Sequence, residues 1–161
     1  MSDPRQTPFK LALEACSTRF SQLLPSYGFS RDWVKSNDGS FRRHWLHDRA
    51  WKTDIVEIVY RRGGEYRIIV NVCTSLPIAG EYGTSTRLSG RSPLTPPIPM
   101  LLARFRVKRY ADRVVSIVQP ELSWFKEVAT PQTLWRYLSV QNPRFKSSPV
   151  GIQVETYLQG L

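Results

Sequence analysis

Arg42, Arg43, Arg61, Arg62, Arg104, Arg106 and Lys108 are the residues of this chain whose types and spacing point most directly to a chemistry. A guanidinium grips phosphate in a two-pronged fork, and the neighbouring aromatics Trp45, Tyr60 and Tyr66 have faces on which bases stack. The seven cations fall in segments that read as strands or as the turn between two of them. A sheet face collecting them would hold a nucleic-acid backbone by charge and its bases by stacking. The same pattern also suits a solvated sheet face cross-paired with Glu57 and Glu65, which needs no ligand. A charge excess by itself reads no bases.

Three shorter patterns invite catalysis or ligation. His44-Trp45-Leu46-His47-Asp48 is the only histidine cluster, but residues three apart on a strand point to opposite faces, so its two imidazoles do not meet one ion. Ser123-Trp124-Phe125-Lys126 spells SxxK without the Lys-Thr-Gly or Ser-Asp-Asn elements that accompany it in serine acyl-enzymes, and Trp124 and Phe125 read as core anchors. Gly80-Glu81-Tyr82-Gly83 spells GxxG, with an acidic residue where a nucleic-acid backbone would be clamped. No dinucleotide fingerprint, P-loop, HExxH or GxSxG occurs, so no cofactor, metal or catalytic residue is assigned and the reading leans away from an enzyme. A catalytic site assembled only by folding would escape this reading.

Composition sets the background. Lysine and arginine total 23 against 13 acidic residues, a net charge of +10 and an isoelectric point near 10.1, which attracts the chain to polyanions. Cys16 and Cys73 are too few for a disulfide framework and read as reduced core residues. No apolar run is long enough to span a membrane and no leader pattern opens the chain, so a cytoplasmic protein is expected.

The elements that must position these residues follow from periodicity. Asp54–Tyr60 and Tyr66–Cys73 are rich in β-branched and aromatic residues and flank Arg61-Arg62-Gly63-Gly64-Glu65, which predicts a hairpin with Tyr66, Ile68, Val70 and Val72 on its core face. Arg31–Ser36 and Phe41–His47 flank Asn37-Asp38-Gly39 and predict a second hairpin, giving a four-strand meander. Alternation over Leu101–Lys108 predicts a fifth strand, with Arg104, Arg106 and Lys108 on one face. Phe9, Leu13, Cys16, Phe20 and Leu23 form one stripe of an N-terminal helix that begins at Thr7-Pro8 and is ended by Pro25 and Gly28. Residues 110–119, 121–128 and 130–141 read as helices, while 142–161 is a tail read as a docked helix, a strand or a frayed end. Between the sheet and these helices, 77–99 is a Pro/Gly-rich excursion; its 92–99 segment favours polyproline II, as a ligand for a proline-binding domain or as a rigid strap. The whole, residues 1–161, is expected to be a single α+β domain: an antiparallel sheet of about five strands with the N-terminal and C-terminal helices on one face.

The helix ending in Leu24-Pro25-Ser26-Tyr27-Gly28-Phe29, the Trp33 and Trp45 strands, the central hairpin and Leu122-Ser123-Trp124-Phe125 together resemble an uncharacterised bacterial family, the domain of unknown function numbered 4304. The resemblance covers much of residues 9–140 and implies an α+β domain with no catalytic residues. Small families of this general appearance are similar to toxin-neutralising immunity proteins, from which the basic charge here departs. The functional expectation is a non-catalytic binding or regulatory module for a protein partner, motivated by the missing catalytic motifs and the proline-rich segment. The alternatives are sequence-tolerant nucleic-acid binding and an enzyme.

Overall fold

A computed structural model describes residues 7–37, 40–61, 67–78, 85–90 and 106–161. Helix α1 (Thr7–Leu23) runs into a 3₁₀ turn, Leu24–Tyr27. Pro25 prevents the helix from continuing, and Gly28 reverses the chain at φ +93°, a left-handed conformation that glycine adopts without a Cβ penalty. Strands β1 (Arg31–Asn37), β2 (Ser40–Asp48), β3 (Thr53–Arg61), β4 (Arg67–Leu76) and β5 (Thr86–Ser89) follow, paired antiparallel in sequence order. The helices α2 (Val107–Val118), α3 (Trp124–Glu127), α4 (Pro131–Gln141) and α5 (Pro149–Gln159) complete the chain.

The register assigns a side to every strand residue, because directly paired residues share a face. Trp45 lies opposite Val56, which lies opposite Val72, and Ile58 lies opposite Val70. These side chains join Leu13, Cys16 and Phe20 of α1, Tyr110 and Val114 of α2, Trp124, Phe125, Leu134 and Leu138, and Val154 and Leu158 of α5 in one core cluster. These helices therefore cover the same face of the sheet. Phe20 is fully buried, its ring 5.6 Å from that of Trp45. The tail is a docked helix: Ser148 accepts a hydrogen bond from Gly151 N–H as its cap, and the Tyr157 hydroxyl donates to the Trp51 carbonyl at 2.7 Å.

Two expectations are corrected. The stretch expected to be the fifth strand, Leu101–Lys108, lies outside the described residues up to 105, and Val107 and Lys108 are the first residues of α2. The apolar residues Val107, Tyr110, Ala111, Val114 and Val118 recur with the helical period, so Val107 and Lys108 join the helix. The fifth strand is instead Thr86–Ser89, inside the segment read as irregular; Thr86 and Leu88 are buried and Arg87 and Ser89 exposed, a period-2 pattern. The GxxG at 80–83 and the proline-rich 92–99 lie outside the described residues.

Candidate interaction surfaces

Strand β2 divides the two arginines that the sequence placed side by side. Arg42 points to the face opposite the described helices and Arg43 to their side, since the register aligns Arg42 with Val59 and Arg43 with Ile58. Both are engaged. Arg43 Nη2 donates to Asp32 Oδ2 at 2.5 Å, and its Cζ sits 5.1 Å from the Trp45 ring centroid, a cation–π contact. Arg42 Nε lies 3.1 Å from Glu57 Oε1. Arg61 ends β3 opposite Arg67, while Arg62 and Arg104 lie outside the described residues. Arg106 and Lys108 belong to α2, on the far side of the core. The seven cations do not assemble into one sheet face, and the cross-paired alternative with Glu57 holds for Arg42.

Glu57 is the centre of the face opposite the described helices. Register places Trp33, His44, Glu57 and Asn71 in one row across β1 to β4. Both carboxylate oxygens are fully engaged: Oε1 with His44 Nε2 at 2.7 Å and Arg42 Nε at 3.1 Å, Oε2 with Asn71 Nδ2 at 2.8 Å and Arg87 Nη1 at 3.1 Å. Burial of this 1%-exposed side chain opposes ionisation, but the hydrogen bonds from His44 and Asn71 and the Arg87 charge outweigh it and bring its pKa from 4.5 down to about 2. A carboxylate so firmly ionised is a poor proton acceptor near neutrality, so the His44–Glu57 pair is an internal clamp. The His44 ring in turn lies 4.8 Å from that of Trp33. His47 is on the opposite face, its ring 5.8 Å from that of Phe29, so the two histidines are separated as their spacing requires.

A second buried acid, Asp54, sits three residues earlier on β3 and hence on the helix side. Lys52 Nζ lies 2.8 Å from Oδ1, Arg49 Nε donates to Oδ2 at 2.7 Å and the Thr74 hydroxyl to Oδ1 at 3.2 Å. Burial lowers the Lys52 pKa, an effect the Asp54 partnership opposes. This cluster gave no sequence signal, because its four residues come from a turn and two strands. The Ser123 hydroxyl donates to the Pro120 carbonyl at 2.9 Å, and Trp124 and Phe125 are buried, so the SxxK residues serve the local turn and the core.

Two surfaces among the described residues bear on recognition. Strand β1 is an edge of the sheet, and all five of its residues from Arg31 to Lys35 are exposed. Trp33 is 45% and Val34 50% accessible, one on each face of the strand. The edge is held in place by Arg31, whose guanidinium donates to both oxygens of Asp48 at 2.6 and 2.9 Å, and by the Asp32–Arg43 pair. The other open surface is the outer side of α2, where Arg106, Lys108, Arg109 and Arg113 are exposed and have no ion pair among the described residues. Arg109 and Arg113 were not singled out from the sequence, although their spacing of four on a helix was the signal that could have found them. No helix among the described residues is long and apolar enough to cross a membrane. No family model matches the chain, and neither a curated protein nor a solved structure matches it significantly.

Proposed function

We propose that this protein is a non-catalytic binding module that recognises a protein partner along the outer edge of β1. The observation that carries the reading is the edge itself: a seven-residue strand ending the sheet, with Trp33 and Val34 both about half exposed. An edge strand presents backbone donors and acceptors to an incoming strand, and exposed large side chains beside it supply the specificity of strand addition. Tryptophan is the residue type most enriched where a few side chains dominate binding energy. Trp33 also rests on a ring that Glu57 holds, and the ion pairs of Arg31 and Asp32 fix both faces of the edge. Binding there orders little that is not already ordered, which lowers the entropic cost of association. The charges of Arg31, Asp32 and Lys35 discourage indiscriminate edge pairing, as natural edge strands require.

The closed environment of Glu57 and the locally tied Ser123 support the non-catalytic part of the reading. The test is site-specific photo-crosslinking in the native host, with a photoreactive phenylalanine analogue at position 33 or 34. Positions 140 and 152 serve as controls, since Val140 and Ile152 are exposed apolar residues away from the sheet. A discrete adduct from 33 and 34 and none from 140 and 152 is expected. Equal labelling at all four positions, or no adduct from β1, overturns the reading.

A further inference from the structure

We propose that the outer face of α2 binds a nucleic-acid duplex through its phosphate backbone, by a row formed by Arg106, Arg109 and Arg113 with Lys108 beside it. Arg106 caps the helix, and the three arginines follow at spacings of three and four, which align them on one stripe about 5 Å apart along the axis. All four cations are exposed. Asp112 is the only acid on this helix, and its Oδ1 is already 2.8 Å from Arg19 Nη2 of α1. The two helices run parallel, Cys16 beside Tyr110, Arg19 on Asp112 and Tyr27 against Gln119, so α1 supplies the partner that removes Asp112 from the row.

The arrangement contradicts what helix stability asks for. The first turn of a helix favours acidic side chains and disfavours cations, because unpaired backbone N–H groups give that end a partial positive charge. Helix α2 has no acid in its first turn and places Arg106, Lys108 and Arg109 there. Arg109 and Arg113 are in addition a like-charged pair at i and i+4, which repel. A local rule broken with no internal compensation marks a position set by function, and an anion along this face would reverse every one of these unfavourable terms. The sheet arginines Arg42, Arg43 and Arg87 give the contrast, each satisfied by an acid within the fold.

The chemistry favours a duplex over a single strand. Sequence-tolerant single-strand binders add aromatic platforms for stacking, and the aromatic residue of α2, Tyr110, is 4% exposed in the core. A cationic helix without exposed aromatics offers backbone contacts alone, and the major groove of B-DNA is wide enough to admit a helix.

Fluorescence anisotropy of a labelled mixed-sequence DNA duplex, titrated with the protein from 50 to 200 mM salt, tests the inference. Three phosphate contacts give a logarithmic slope of about −2.7, so affinity should fall about 40-fold over that range. The R106Q/R109Q/R113Q variant should lose binding and flatten the slope while its thermal midpoint stays at or rises above the parent's, since all three positions are exposed and their charges oppose the helix end and one another. A second triple variant, R136Q/R144Q/K146Q, removes the same charge from exposed positions elsewhere and should bind as the parent does. No duplex binding at 50 mM salt, or equal loss in both triple variants, overturns the proposal. So does tighter binding to the single strand or to vesicles containing phosphatidylserine than to the duplex.

Discussion

Replacing Glu57 by glutamine removes the negative charge at the middle of the sheet and keeps the side-chain shape. The folded protein holds this carboxyl at about 2, against an ordinary value of 4.5, because His44, Asn71 and Arg87 together outweigh its burial. A displacement of that size corresponds to about 3 kcal/mol of folding free energy near neutrality. For a chain of this length the melting temperature should fall by about 6–12 °C. The sign follows from linkage: a carboxyl depressed in the folded state stabilises it fully above the unfolded value, and that contribution fades as pH falls from about 4.5 toward 2. At pH 3 about 1.4 kcal/mol should remain. Urea unfolding of parent and E57Q at fixed ionic strength, at pH 7 and pH 3, measures the gap, and titration of groups not in contact with Glu57 cancels in the difference. A gap below 1 kcal/mol at pH 7, or one of the same size at pH 3, refutes the assignment of Glu57 as the ionised centre of its network.

Phe20→Ala should cost about 3–5 kcal/mol in urea unfolding, since the ring is fully buried among both layers; a loss within error would remove Phe20 from the core. Gly28→Ala should lower the melting temperature on two counts, the left-handed φ of +93° and a Cβ that would lie 2.7 Å from the His47 ring. Adding His47→Ala should recover only the steric part, so full recovery or none would contradict the geometry. Asp54→Ala should cost about 3–5 kcal/mol because it strands a buried Lys52. Lys52→Met should cost less, because Asp54 keeps Arg49 and Thr74, and the opposite order would refute the cluster. Trp33→Ser and Val34→Ser should leave stability within about 0.5 kcal/mol, as exposed positions do, while abolishing crosslinked partner capture at the other position.

The fold was readable wherever one period ran uninterrupted. Leu13, Cys16 and Phe20 meet Ile68, Val70 and Val72 in the core as their spacings require, and Trp124 and Phe125 are the anchors their size suggested. Thr130 caps α4 with Pro131 following it, and Thr133, which the sequence did not single out, completes a reciprocal cap, its N–H donating to the Thr130 hydroxyl. The strand Thr86–Ser89 was missed because four residues between glycine- and proline-rich neighbours give too short a window, and the alternation read over Leu101–Lys108 ran into Val107 and Lys108, which begin α2. The candidate surfaces were less readable still. Charge sequence says which cations exist, but pairing decides which are free, and the partners of Arg87 and Arg19 are 30 and 93 positions away at Glu57 and Asp112.

That pairing has a consequence for where an excess of +10 can act. Asp54 and Glu57, three apart on β3, stand on opposite faces of the sheet, and each gathers its own cations: Arg49 and Lys52 around one, Arg42 and Arg87 around the other. Buried charges persist only when so satisfied, so Arg42, Arg49, Lys52 and Arg87 are taken up by acids of the sheet. Among the described residues, no acid of the helices pairs with two cations. Arg109 and Arg113 flank one acid already taken by Arg19, and Arg136, Arg144 and Lys146 have no ion pair among the described residues. On the proposed reading, attraction for a polyanion would lie with the helical layer and apolar recognition with the β1 edge, where Trp33 and Val34 stand beside the paired Arg31 and Asp32. The two surfaces can be removed separately, by arginine substitutions on α2 and by serine at 33 and 34, and neither substitution touches a residue that holds the sheet to the helices.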